Sequence, residues 1–452
     1  MSSETADIAT KSAAEIGRAI GEGRLDPLEL TEFYLESAAT AFDIYVRLTP
    51  RRARRAAAAA RDRARRGFRR GPLDGVPISW KDLFDFAGEP TEAGSLLCAG
   101  RIAARDATLL ARADAAGLVP LGKTHLSELA FSGLGYNPMT ATPPNKALPG
   151  HVPGGSSSGA AASLTHGLAA AAIGSDTGGS VRIPAAWNGL VGLKTTAGRL
   201  PMDGVAPLSP TLDTVGPLTR TVADAALIDA ALAAAPTADL RGASLEGRGF
   251  AMPLSPVLDD LHPDLAAAFD ATLERFRAAG AKIDAVEIPE FAEALQVAAT
   301  DGAIVNTEGY AVWKDAIEAH PDRIFAQIRE RFRSGANYTA DQIDRARLRF
   351  AALARSYRAR LAGYDALLMP TTPNKPPTIE TITGDEQAYQ RENLAALRLT
   401  RLANLFGLCG LTLPTGHAPD GCPTALLLTG APHEEARLLR LGAAIEALGI
   451  SS

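Results

Sequence analysis

The chain has 452 residues, of which 46% are hydrophobic and 21% charged, with a formal net charge of −5. That apolar share can bury an extensive core and argues against disorder, while the acidic balance supplies no general field for a polyanion, so a nucleic-acid partner is not implied. Three cysteines, Cys98, Cys409 and Cys422, lack the paired spacing of a zinc site or a disulfide framework and read as reduced, mostly buried thiols.

The N-terminal stretch MSSETADIATKS has acidic residues and no apolar centre, which does not fit a secretory signal. No apolar run is long enough to cross a bilayer, so a cytoplasmic protein with no membrane contact is expected. Residues 11–42 read as helices. Thr49 and Pro50 look like the N-cap and first residue of an Arg/Ala-rich helix that stops at Gly67. Eleven arginines lie between Arg47 and Arg70; with sparse interleaved aromatics they read as a solvated helix rather than a tRNA-binding surface.

From about residue 72, short apolar runs alternate with helices and glycine-rich turns, as in GLVPLG at 117–122 and LAAAAIG at 168–174. This is α/β organisation. It resumes after residue 247 with a strand at GFAMPL, a helix over 263–279 ended by Gly280, and a strand at KIDAVEI. Residues 290–362 are mainly helical, with a long amphipathic stretch at 339–361, and are expected to cover the active site. The buried strand ALLMPT and a final region over 386–448 follow. Length alone allows two or three domains, but no repeat or low-complexity linker divides the chain, and a single domain over 1–452 is the simplest reading.

Residues 153–187, PGGSSSGAAASLTHGLAAAAIGSDTGGSVRIPAAW, contain two Gly-Gly-Ser elements, each at the mouth of an expected helix. Either turn alone reads as punctuation. Together they place several serine hydroxyls beside helix starts whose unpaired N–H groups stabilise negative charge, an arrangement suited to attacking a carbonyl and holding the oxyanion. A serine nucleophile needs a base, and histidine is the usual one. His125, His151 and His166 lie nearest in sequence, but spacing does not choose among them.

Two other patterns compete. GLVPLGKT at 117–124 satisfies the phosphate-loop pattern, but its would-be loop is itself an apolar strand and Pro120 removes a needed N–H. GSSSG at 155–159 fits a nucleophile elbow with Ser157 as nucleophile, but the preceding ALPGHVPG is too rich in proline and glycine to be the strand that an elbow requires.

The double-glycine stretch, together with GVPISWKDLFD around Lys81, resembles the amidase-signature family. The resemblance continues through TEAGS (91–95), DATLL (106–110), LGKT (121–124), GLVGLKTTAGRLP (189–201) and LSPTLDTVGPLTRTVADAA. It is dense over residues 70–230 and thin afterwards, except for DALLMPTTP (365–373) and GLCGLTLPTG (407–416). The resemblance implies a large mixed β-sheet flanked by helices on both sides, and a catalytic triad of Lys81 as base, Ser156 as proton relay and Ser180 as nucleophile. It also implies a cis peptide at Gly155–Ser156 and an oxyanion hole from the main-chain N–H groups of Thr177, Gly178, Gly179 and Ser180.

Lys81 must then be neutral, so its surroundings have to pull it about two to three pH units below the free value of about 10.4. The activity implied is hydrolysis of a small-molecule carboxamide through a Ser180 acyl-enzyme, with no metal and no cofactor; a homodimer is compatible with the family. A second function class shares the triad, the A subunit of a glutamyl-tRNA(Gln) amidotransferase, which releases ammonia for a partner. A third, a catalytically silent binding protein, is disfavoured because all three triad positions are filled. The chain departs from the family pattern at Ser158, where many members have glycine, and at His125, where many have asparagine. Trp187 and Phe131 are candidates for the pocket wall, although core packing suits both.

Overall fold

Runs of alternating or continuous Val, Ile, Leu and Ala, bounded by glycine and proline, form the strands of a single sheet in a computed structural model of the chain, which describes residues 10–254, 257–300, 303–385 and 387–449. Residues 1–9, part of the stretch read as lacking a secretory signal, lie outside them. In chain order the strands are β1 (Tyr45–Leu48), β2 (Pro77–Lys81), β3 (Val119–Thr124), β4 (Ala171–Asp176), β5 (Val191–Lys194), β6 (Thr214–Thr219), β7 (Gly249–Pro253), β8 (Lys282–Val286), β9 (Ala366–Pro370), β10 (Cys409–His417) and β11 (Pro423–Gly430). Their order across the sheet is β1-β3-β2-β4-β6-β5-β10-β11-β9-β7-β8. Strand β2 runs parallel to both β3 and β4, and β7 parallel to β8 and β9, while the central pairs are antiparallel. The sheet is mixed and flanked by helices, as expected.

Burial on both faces follows from the two-residue period of a strand, which sends neighbouring side chains to opposite sides. Leu368 of β9 and Leu428 of β11 pack into a layer with Phe250, Phe276 and Leu438, under helices Pro263–Ala278 and Glu435–Glu446. Their neighbours Leu367, Met369 and Leu427 pack on the opposite face with Phe291, Phe350 and Phe406, under helices Pro289–Thr300 and Ala340–Arg360. A third cluster gathers Ile78 and Trp80 of β2, Val119 of β3 and Ile173 of β4 with the N-terminal helices Ala13–Gly21 and Pro27–Ala38.

The Arg/Ala-rich helix runs from Pro50 to Arg65 and its chain reverses at Gly67, where φ is +73°. Thr49 stands at the cap position, yet its hydroxyl donates to the carbonyls of Pro120 and Leu121 on β3 instead of to the helix. On this helix Arg52 pairs with Asp106 and Asp114, Arg54 with Glu32, and Arg63 with Asp74. Within 290–362 the described residues form helices Pro289–Thr300, Ile304–Ala319, Ala326–Arg333 and Ala340–Arg360. Among the described residues no helix is long and apolar enough to cross a membrane. All three cysteines are unbridged and buried.

Candidate active site

Parallel strands leave a crevice at their carboxyl ends, and the residues of interest collect there. Lys81 is the last residue of β2, between β3 and β4, and is fully buried. Its Nζ lies 2.7 Å from Ser156 Oγ and 2.9 Å from Ser175 Oγ, the latter carried by β4. It makes no ion pair among the described residues. Burial pulls the amine down to about 7, against the opposing fields of Asp176 and Asp213.

Ser156 sits in the turn before helix Ser158–Thr165, and the Gly155–Ser156 peptide is cis, as the resemblance implied. The turn is held by the main chain on both sides. Gly155 donates to the Gly133 carbonyl at 2.8 Å, Ser127 donates to the Ser156 carbonyl at 3.1 Å, and Ser157 donates to the Ser180 carbonyl at 3.1 Å. The last bond ties the two Gly-Gly-Ser elements together. Only glycine fits at 155, since a Cβ there would lie 2.5 Å from both Gly135 N and Ser127 Oγ. The Ser157 hydroxyl is turned inward and donates to the Ser175 carbonyl at 3.2 Å. Ser158, where many family members have glycine, starts the helix with its hydroxyl buried and unbonded.

Ser180 follows β4 at the start of the short helix Arg182–Trp187. A fully buried carboxylate organises this turn. Asp176 accepts from the N–H groups of Gly179 (2.8 Å) and Val181 (3.1 Å) and forms a two-point ion pair with Arg182, whose NH2 lies 2.9 Å away. Burial would raise this carboxyl, but the charge and hydrogen bonds of Arg182, with help from Lys194 and Asn404, hold it well below the usual carboxylate range. Arg182 also donates to Thr400 O and Asn404 Oδ1 at 2.8 and 2.7 Å. Gly179 has φ of +139°, and a Cβ on it would meet Thr400 Oγ1 at 2.2 Å, so backbone freedom and close approach both require glycine.

The Gly179 N–H, one of the four main-chain donors that the resemblance implied for the oxyanion hole, is thus engaged by Asp176. Among the described residues no hydrogen bond within the chain engages the N–H groups of Gly178 and Ser180 or the Ser180 hydroxyl. Thr177, Gly178 and Ser180 line a cavity of about 350 Å³. Thr177 is braced from behind by its hydroxyl, which donates to Asp213 at 2.5 Å. Burial raises the Asp213 carboxyl to about 6 despite that bond and the N–H groups of Leu208 and Ser209.

Helix Pro289–Thr300 and the start of helix Ile304–Ala319 contribute Ala298, Ala299, Ile304 and Val305 to the cavity wall, and Arg331, Tyr338, Leu397 and Arg401 complete much of the rest. Phe131 lines it as well. Trp187 does not; its indole donates to Thr372 Oγ1 at 3.1 Å in another wall.

The three nearby histidines bond main-chain carbonyls: His125 meets Phe42 O, His151 meets Pro149 O and His166 meets Ala162 O. The phosphate-loop pattern ends inside β3, where buried Lys123 pairs with Asp82 at 2.6 Å. No strand precedes Ser157, so the elbow geometry is absent. Sequence reasoning did not find Ser175, the Asp176–Arg182 pair, Asp213 or the two cavity arginines. The one available signal was an arginine, Arg182, standing in an otherwise apolar run.

The Amidase family model matches residues 29–439. Over 461 aligned positions the chain is 38% identical to 2-amino-5-chloromuconic acid deaminase of Comamonas testosteroni, with 97% of each chain covered. It is 33% identical to the A subunit of the glutamyl-tRNA(Gln) amidotransferase of Chloroflexus aggregans, over 97% of this chain and 96% of that one. A crystal structure of an amidase superposes with a TM-score of 0.87 and 32% identity, covering 97% of this chain and 99% of that one. The similarity therefore extends well beyond the densely matching segment 70–230.

Proposed function

The chain belongs to the amidase family and is an amide-hydrolysing enzyme, and from that premise we propose that Ser180 is its nucleophile, Ser156 the proton relay and Lys81 the base. The observation that carries this reading is the 2.7 Å contact between the fully buried Lys81 Nζ and Ser156 Oγ. An amine drawn down to about 7 by burial is substantially neutral near pH 7, and its lone pair then accepts the Ser156 proton as Ser156 accepts that of Ser180. Ser180 Oγ attacks the carbonyl carbon, and the carbonyl electron pair moves to oxygen. The main-chain N–H groups of Gly178 and Ser180, with Thr177 beside them, hold that oxyanion, a contribution of about 2.7–4 kcal/mol in comparable acyl-transfer sites. Collapse breaks the C–N bond, the amine leaves with the proton returned by Lys81 through Ser156, and water activated along the same path releases the acid. The substrate is a small-molecule amide, and the cycle needs no metal.

The pH dependence tests the base. Lys81 is faced by Ser156 and Ser175, and by the charges of Asp176 and Asp213; Asp176 is neutralised by Arg182 and stays ionised throughout the working range. Only the neutral amine accepts a proton, so activity is present above about pH 7 and lost as the pH falls through that value. With an uncharged amide, kcat/KM is expected to drop roughly tenfold per pH unit below the limb. A profile flat down to about pH 5, where an ordinary lysine base is long protonated, contradicts the assignment.

Over 97% of its length the chain is similar to the A subunit of a glutamyl-tRNA(Gln) amidotransferase, which favours one second reading, in which the amide is glutamine and the ammonia passes to a partner. Glutamine hydrolysis that appears only when partner proteins are added selects it. Turnover of simple amides by the isolated chain selects the first.

A further inference from the structure

The cavity that Ser180 lines is largely apolar, with Phe131, Leu208 and Ile304 in its wall, yet two guanidinium groups also line it, those of Arg331 and Arg401. Buried Arg182 has a counterion in Asp176 and half-buried Arg52 has two, Asp106 and Asp114, while half-buried Arg220 spends its N–H groups on main-chain carbonyls. Arg331 and Arg401 have no counterion among the described residues. Arg331 makes one hydrogen bond, to the Phe131 carbonyl at 2.8 Å, and lies 4.1 Å above the Phe131 ring. Arg401 makes none, and its Nε is buried without a partner. The charge of Arg401 acts against that of Arg331, so the two repel across the same space. The Arg401 stem passes beside the oxyanion turn, since a Cβ on Gly178 would lie 3.8 Å from Arg401 Cβ.

Two like charges in the wall of an apolar cavity are costly until an anion enters between them. Arginine is also the side chain whose planar fork matches a carboxylate. We propose that Arg331 and Arg401 bind a carboxylate of the substrate, which makes the substrate the half-amide of a short dicarboxylic acid, with its carboxamide at Ser180. This rests on the amidase reading and narrows it. Water adds across the C–N bond, the products are the dicarboxylate and ammonia, and nothing is oxidised or reduced. Phe131 fixes Arg331 through its carbonyl and its ring, while the terminal N–H groups of Arg401 make no hydrogen bond within the described residues.

The test compares succinamate, glutaramate and adipamate with butanamide, pentanamide and hexanamide, in which a methyl group replaces the carboxylate. The wild-type enzyme is expected to favour the charged member of at least one pair by about 100-fold or more in kcat/KM. That ratio is expected to fall at least tenfold in Arg401→Gln and in Arg331→Gln, with Arg401→Lys retaining part of it. Turnover of the neutral amides that depends on Ser180, with a wild-type ratio near one, overturns the carboxylate site and leaves the amidase reading standing; this arm needs no variant to fold. If neither class is turned over, calorimetric binding of glutarate that Arg401→Gln abolishes keeps the carboxylate site and removes the amidase reading. Inorganic phosphate bound more tightly than glutarate overturns the choice of carboxylate.

Discussion

Replacing Ser180 by alanine is expected to lower kcat/KM for any amide by roughly 10⁴-fold or more without loss of the folded state. The Ser180 side chain is 4% exposed and its hydroxyl enters no hydrogen bond within the described residues, so removing it leaves no partner unsatisfied. Ser156→Ala is expected to be similarly inactive, and the double variant no worse than the poorer single one, because residues that pass one proton act as a unit. Ser157 is the control. Its hydroxyl donates to the Ser175 carbonyl, so Ser157→Ala is expected to cost about 1 kcal/mol of stability and to stay active. Ammonia-release kinetics, with mass-spectrometric trapping of an acyl adduct on the Ser180 peptide, checks all four. An active Ser180→Ala beside a dead Ser157→Ala returns the nucleophile to the elbow pattern.

The two Gly-Gly-Ser turns were legible because their pattern is local, whereas the roles proposed for Lys81, Ser156 and Ser180 came from the family resemblance, spacing alone having left the base open. The contacts that keep Gly155 and Gly179 as glycine come from distant chain, Gly135 and Ser127 for the first and Thr400 for the second, but the glycine pairs themselves mark the two turns locally. Element types were legible for the same reason, as with helix Pro263–Ala278 and strand Gly249–Pro253, where period and punctuation agree. What supports the site was not legible, because it comes from distant chain. Asp213 braces Thr177 across 36 positions, and Asn404 reaches Asp176 across 228. Neither has a local signature.

The cavity arginines illustrate the same limit from the other side. Arg331 and Arg401 stand in arginine-rich helical sequence where most neighbours form surface ion pairs, such as Arg333 with Glu318. Nothing in the spacing separates a guanidinium aimed at Ser180's cavity from one aimed at solvent. Their lack of counterions is visible only once the fold has brought Phe131, Ser180, Ile304, Arg331 and Arg401 to one cavity. The direction of the main-chain donors is hidden for a related reason: it depends on where the Asp176 carboxylate turns, and that carboxylate accepts from Gly179.

The second large effect belongs to the ion pair beneath Ser180. Arg182→Met is expected to destabilise the protein by about 3–5 kcal/mol, because it strands a buried carboxylate. In the wild type, Asp176 titrates below its unfolded value, so it contributes stability above about pH 4 that is lost only as the pH falls further. Without Arg182, burial raises its folded value above the unfolded one, and the sign reverses: the variant loses stability as the pH rises from about 4. The deficit measured by urea unfolding should therefore be larger at pH 8 than at pH 5. Asp176→Asn added to Arg182→Met should recover part of the loss, since no charge remains to be compensated, although the single amide oxygen can accept from only one of the Gly179 and Val181 N–H groups that the two carboxylate oxygens serve. Activity should not recover with it, because Arg182 also holds Thr400 and Asn404 against the turn that presents Ser180. A deficit independent of pH, or a double variant no more stable than Arg182→Met, would assign the cost to lost packing instead of to the charge.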